Sequence, residues 1–165
     1  MNMTYDSGPV EAVDLDGNLL VTGSCDKTVK LWDLRTGTVM HTLSVDGWVT
    51  SLQRTNNTLI AGTGQTHAIT LFDLSTMART KTLQGHEDVV TCLQADSVRI
   101  VSGSRDCTVQ LWDWNGTCRQ IMPLQYRTER ERIVSISKNA VKCLAFDETR
   151  LVTGSNDWLL RVMYY

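Results

Sequence analysis

The chain has little that would commit it to chemistry or to a membrane. Only two prolines and two phenylalanines occur in 165 residues, so rigid kinks and large aromatic cores are both scarce. No apolar run approaches the roughly 20 residues a membrane-spanning helix needs, and the start, MNMTYDSGPV, is too polar for a signal peptide. Charge is nearly balanced, 16 basic against 18 acidic residues, which leaves no electrostatic footprint for nucleic acid or an anionic membrane. Five cysteines are an odd number without metal spacing, and His41 and His67 have no second ligand at metal distance in sequence. No metal and no cofactor is expected. Three glycosylation triplets (Asn2-Met3-Thr4, Asn56-Asn57-Thr58, Asn115-Gly116-Thr117) read as chance matches without a secretion signal. A reducing compartment, cytoplasm or nucleus, is the expectation. Helical spacing of apolar residues is missing over any useful length.

What the chain has is repetition. Nearly the same line is written four times: VTGSCDKTVKLWDL (21–34), IAGTGQTHAITLFDL (60–74), IVSGSRDCTVQLWDW (100–114) and LVTGSNDWLLRVMYY (151–165). Trp32, Phe72 and Trp112 are spaced by 40 and 40, and Met163 holds the anchor place 51 residues later. Each copy runs from an apolar strand through a Ser/Thr-Gly turn signal into an alternating strand such as Thr28-Val29-Lys30-Leu31-Trp32. Upstream lies another alternating stretch (Val49–Leu52, Val90–Leu93, Val141–Leu144), and downstream a weaker one (Thr38 to Leu43, Thr80 to Leu83). Four short strands per period predict an all-β chain of four four-stranded antiparallel blades. Cys92 and Cys143 share one place on the first strand and read as core residues.

On these residues the chain resembles the WD-repeat β-propellers over essentially its whole length. The third copy matches best, with Gly85-His86, Ser102-Gly103-Ser104, Asp106 and Trp112-Asp113. The resemblance implies a buried hydrogen-bonded chain His86–Ser102–Asp106–Trp112. The first copy keeps Thr22, Asp26 and Trp32 but has Asp6 in the histidine place. The second, with Val45, Ala61 and Phe72, has no network, and the fourth keeps Thr153 and Asp157 beside Ser137 and Met163. Blades of unequal rigidity follow. The lean spacers Asp96–Arg99 and Asp147–Arg150 look like those of the F-box-carrying members that select ubiquitin-ligase substrates, although no F-box helices are present.

The repeats run over about 6–43, 44–83, 84–122 and 138–165, with an inserted loop at 123–137 and a candidate closing strand at 1–5. Strand four of the third repeat is either Cys118–Met122 or Arg132–Ile136, and the choice sets the face that carries the loop. Propellers run roughly four to eight blades, and about seven are usual in the family. An open partial propeller with apolar outer flanks is therefore expected, a fragment or shortened isoform, capable of self-association.

His86, Ser102 and Asp106 also have the residue types of a hydrolase triad, but the serine lies within an apolar strand run, and a nucleophile must be exposed. Gly62-Thr63-Gly64 lacks the Gly-Lys-Ser/Thr of a phosphate loop. No catalytic residue is assigned. What remains is a surface for proteins or peptides. The resemblance implies that the connectors between blades and the turns between strands two and three share one face. Lys27, Trp48, His67, Asp88, Arg105, Asn139 and Trp158 are the candidates on it. Aromatics beside arginine make interface hot spots, whereas packing against their own blade is the plainer fate of Trp48 and Trp158. The function expected is an interaction scaffold, with substrate recognition for a ubiquitin ligase as its narrower form; the alternative is an incomplete isoform without binding of its own.

Overall fold

The computed structural model describes residues 7–123 and 140–164. Its strands are β1 (Val10–Asp16), β2 (Leu19–Ser24), β3 (Thr28–Asp33), β4 (Thr38–Ser44), β5 (Val49–Thr55), β6 (Thr58–Thr63), β7 (Ile69–Asp73) and β8 (Ala78–Leu83). They continue with β9 (Val90–Ala95), β10 (Arg99–Ser104), β11 (Thr108–Asp113), β12 (Cys118–Pro123), β13 (Val141–Phe146), β14 (Arg150–Ser155) and β15 (Leu160–Tyr164). The described residues contain no helix. β1–β4, β5–β8 and β9–β12 each form a four-stranded antiparallel meander, and β13–β15 form a three-stranded one. These are blades one to four, and the strands within each are a, b, c and d in chain order.

Every short link has a local cause. Asp96 Oδ1 accepts from the amides of Val98 and Arg99 at 2.7 Å, and Asp147 Oδ1 does the same for Thr149 and Arg150. A side-chain carboxylate thus folds the a–b turn without further residues. The c–d turns are built on Asp33, Asp73 and Asp113, whose carboxylates accept from the amides of Arg35, Ser75 and Thr117. The aspartate of the Trp-Asp pair is therefore a turn residue, while its tryptophan is a core residue.

The core lies between the blades. One cluster joins Val21, Val29 and Leu31 of blade one to Val49, Leu59 and Phe72 of blade two. The next joins Ile60, Ile69 and Leu71 to Val90, Ile100 and Trp112. The third joins Val101, Val109 and Leu111 to Val141 and Leu151. Each blade offers b- and c-strand residues forward and, backward, its a-strand valine with the b- and c-strand residues of its other side, so the same packing unit recurs at every junction. The glycine of each Ser/Thr/Ala-Gly pair makes the close approach possible. A methyl group at Gly23, Gly62 or Gly103 would stand 2.4, 2.9 or 2.5 Å from a methyl of Val49, Val90 or Val141 in the next blade.

The fourth strand of blade three is Cys118–Pro123, which pairs with β11. Of the two assignments open from sequence, the first holds, and the chain leaves blade three on the side of the interblade connectors. The segment 124–139, with Asn139, Ser137 and the arginine-glutamate run, lies outside the described residues, as do Asp6 and the candidate closing strand 1–5. One sequence expectation is overturned. Cys92 sits at a junction, half-buried, whereas Cys143 is exposed. Both sulfurs lie over the glycine of their own b strand, near Gly103 and Gly154, on the forward side of the blade. Blade four has no forward neighbour among the described residues, so the shared sequence position is core in one copy and surface in the other.

Candidate functional site: one face of the blade row

Each b–c turn is tied to the connector that enters its own blade. The amides of Cys25, Gly64, Arg105 and Asn156 donate to the carbonyls of Pro9, Trp48, Val89 and Ala140 at 2.9, 2.9, 2.9 and 3.1 Å. Connectors and b–c turns therefore share one face in all four blades. The tip of each turn is a non-glycine residue in left-handed conformation: Lys27 (φ 69°), His67 (φ 56°), Cys107 (φ 68°) and Trp158 (φ 69°). Such a backbone costs an L residue about 1–2 kcal/mol.

In blades one, three and four an aspartate again holds the turn, whereas in blade two Thr63 Oγ1 accepts from the Ala68 amide at 3.2 Å. Asp26 Oδ1 accepts from the Thr28 amide at 3.0 Å and the Thr28 hydroxyl at 2.6 Å; Asp106 Oδ1 does the same for Thr108 at 2.8 and 2.6 Å. In blade four, Asp157 accepts from Ser155 Oγ at 2.5 Å and from the Leu159 amide at 3.1 Å, and it pairs with Arg161. Burial would push these carboxyls up. The donors around them override it, so that Asp26 and Asp106 are each held down to about 2. Asp157 is held well below the carboxylate range, the Arg161 hydrogen bond outweighing the opposing effect of burial.

The candidate residues differ in what they present. Lys27 and Arg105 are exposed, and Trp158 is 96% exposed, standing clear of its blade. Trp48 is 39% exposed, and its indole lies flat on Gly64, where a methyl group would fall 1.5 Å from Nε1. The glycine that resembled part of a phosphate loop is thus the seat of a tryptophan. His67 and Asp88 are half-buried, Asp88 being occupied with the neighbouring Val89 amide at 2.6 Å. The face therefore offers a fully displayed tryptophan at blade four, a half-seated one at blade two, and cations at blades one and three.

Beneath this face the His86 network takes the form implied by the resemblance. Trp112 Nε1 donates to Ser102 Oγ at 2.9 Å, His86 Nε2 lies 2.8 Å from the same oxygen, and His86 Nδ1 lies 2.7 Å from Asp106 Oδ2. Ser102 is fully buried and its hydroxyl is committed to both neighbours. No acyl group has a path to it, so the trio is a structural strut. Blade one keeps the Trp32 Nε1 to Thr22 Oγ1 bond at 2.9 Å, while Ser7 and Lys30 serve Asp26 in place of a histidine. Blade two has the apolar Val45, Ala61 and Phe72, all buried. Among the described residues Thr153 Oγ1 of blade four is buried without a partner, and Met163 has no N–H to give it.

Sequence reasoning missed the polar clamps between blades. The amides of Arg54, Ala95 and Phe146 donate to the side chains of Asp14, Gln53 and Gln94 in the preceding blade. Thr50 and Thr91 hydroxyls donate to the carbonyls of Val90 and Val141. The recurrence of Thr-x-x-Gln at residues 50–53 and 91–94 was the available signal.

A family model described as "WD domain, G-beta repeat" matches residues 3–33 and 77–113, the stretches that end in the two Trp-Asp pairs. The chain carries WD40 repeats over these residues. Its architecture agrees with the WD40 β-propeller domain of Doa1 at a TM-score of 0.81, with 25% identity, over 97% of this chain and 52% of that one. The computationally designed Ika4 protein matches at 0.77 and 25% identity, over 99% of this chain and 95% of that one. Among curated WD40 relatives, the ribosome biogenesis protein ytm1 of Aspergillus oryzae is 31% identical over 90% of this chain. Mitochondrial division protein 1 of Kluyveromyces lactis is 26% identical over 93%. The chain spans 32% and 26% of the lengths of those two proteins. The two divergent repeats, with Phe72 and Met163 as anchors, fall outside the family-model match but keep the blade geometry.

Proposed function

We propose that this WD40 chain is a protein-interaction scaffold whose partner docks on the face of connectors and b–c turns. The observation that carries the reading is Trp158. Trp158 is a large aromatic residue held at φ 69° and 96% exposed, tied to its blade through its amide to the Ser155 carbonyl. Burial of such a side chain in a partner's pocket is the type of contact that dominates interface energetics. Arg105 on the adjacent blade three and Lys27 farther along on blade one add cations to the same face, which suits a peptide or protein segment carrying acidic groups beside an apolar one. Substrate selection for a ubiquitin ligase is a narrower form of this function; its support is the resemblance of the a–b spacers alone. The likeness to ytm1 proteins supports a place in a multiprotein assembly equally well.

The test is affinity purification from cells with the wild-type chain, Trp158→Ala, Arg105→Glu and, as a control on the opposite face, Arg35→Ala. Partners recovered by wild type and Arg35→Ala but lost from Trp158→Ala and Arg105→Glu support the reading. Recovery unchanged by both upper-face substitutions would overturn it.

A further inference from the structure

The two outer blades expose the two halves of the junction that is already made three times inside the chain. On the backward side of blade one, Val10 and Val13 stand where Val49/Leu52, Val90/Leu93 and Val141/Leu144 stand in the later blades. The three later valines are fully buried against the glycine ahead of them, whereas Val10 and Val13 are 45% and 64% exposed. On the forward side of blade four, Leu160 and Val162 repeat the places of Val29/Leu31, Ile69/Leu71 and Val109/Leu111. Those six are buried, whereas Leu160 and Val162 are 71% and 45% exposed. Gly154 repeats the socket glycines, yet a methyl group there would meet only Cys143 Sγ. A groove of about 470 Å³, lined in part by Ala145, Val152 and Val162, runs along the same side.

We infer that the forward side of blade four receives the backward side of blade one from a second copy of this chain. Val10 would enter the Gly154 socket as Val49, Val90 and Val141 enter theirs, and Val13 would cover Leu160 and Val162. Charge matches in the same sense. Lys142 replaces Thr50 and Thr91, whose hydroxyls reach the carbonyl of the incoming valine. In this junction the carbonyl is that of Val10, adjacent to the exposed Glu11. The contact is head-to-tail: among the described residues each copy presents one half of the junction on blade one and the other on blade four, and two copies of these four blades close the ring when the rotation per blade allows it. Two copies give eight blades, within the range propellers adopt. They also supply about as much chain as the Doa1 propeller, of which one copy covers 52%. Closure would place two sets of Lys27, Arg105 and Trp158 on one continuous face.

A head-to-tail junction has a signature that a symmetric patch lacks. Val13→Asp disables only the backward half, and Leu160→Asp only the forward half; both residues are exposed in the single chain, so circular dichroism should show both variants folded. Light-scattering mass over a dilution series should give two chains of 18.5 kDa for the wild type and one for each variant alone. Mixing the variants leaves one intact junction, Val13 of one with Leu160 of the other, and should restore a two-chain mass. A wild type that stays at one chain at every concentration, a wild type that grows beyond two, or variants that fail to complement would overturn the inference.

Discussion

Replacing Ser102 with alanine removes one oxygen atom from blade three and strands two buried partners. The Trp112 indole N–H loses its acceptor at 2.9 Å, and His86 Nε2 loses the hydroxyl at 2.8 Å. Each orphaned polar group costs about 1–3 kcal/mol, so Ser102→Ala should destabilise by about 2–6 kcal/mol in total. Trp112→Phe keeps an apolar anchor and removes the N–H, at a cost of about 1–2 kcal/mol for the lost volume and bond. The double variant places Ala and Phe where blade two has Ala61 and Phe72, a pair that packs fully buried without a hydrogen bond. The stranded indole no longer exists in that background. The double variant should therefore cost about 1–2 kcal/mol less than the sum of the singles, a coupling typical of contacting residues. Urea melts followed by tryptophan-independent circular dichroism measure it, provided the slope with denaturant is unchanged. Additivity within about 0.5 kcal/mol would show that the serine does not act through the tryptophan.

Three further outcomes are expected. Asp106 is held down to about 2 in the fold, so its contribution is complete above its ordinary range and is lost as pH falls through about 4 towards 2. Asp106→Asn should therefore flatten the acid limb of stability by about 2 kcal/mol, and an acid limb identical to the wild type's would refute this. Trp158→Gly relieves a left-handed tryptophan and should raise stability by about 1 kcal/mol in thermal melts, while removing the partner affinity argued above; a loss of stability would mean that the indole packs on its blade. Trp112→Ala should cost about 3–5 kcal/mol and Met163→Ala less, with amide exchange faster in β13–β15 than in β9–β12. Equal protection of the two blades would contradict the ranking.

The blades were legible because their determinants are local. Alternation in Thr108–Trp112, the Ser102-Gly103 turn signal and Asp106 lie within a dozen residues of one another, and the resemblance supplied His86. The shared face of Lys27, Arg105 and Trp158 was implied by the resemblance, and register among the copies assigned the residues to it. What sequence did not disclose is everything that depends on a neighbour. Cys143 has the place of Cys92 but not its environment, because exposure at a junction is decided by the next blade. Gln53 and Gln94 look like ordinary surface amides until the following strand is set beside them, when each meets a backbone amide that would otherwise be unpaired. Packing on its own blade was the plainer reading of Trp48, but its seat, Gly64, lies one hairpin away and was not visible from sequence.

The valine-and-glycine junction also bears on the order in which the chain is made. Substantial packing between sheets runs only between consecutive blades, β1 and β2 on β5, β5 and β6 on β9, β9 and β10 on β13. Each meander needs only its own stretch of about 40 residues to form, since its pairings are between adjacent strands and loop closure is short. During synthesis a finished blade therefore waits with its glycine open, and the first residue of the next strand a to emerge is the valine that fills it. Assembly can proceed in step with translation, one blade at a time, without a search among distant segments. Blade three, with the most complete polar strut, then offers blade four, which follows it, a firm template.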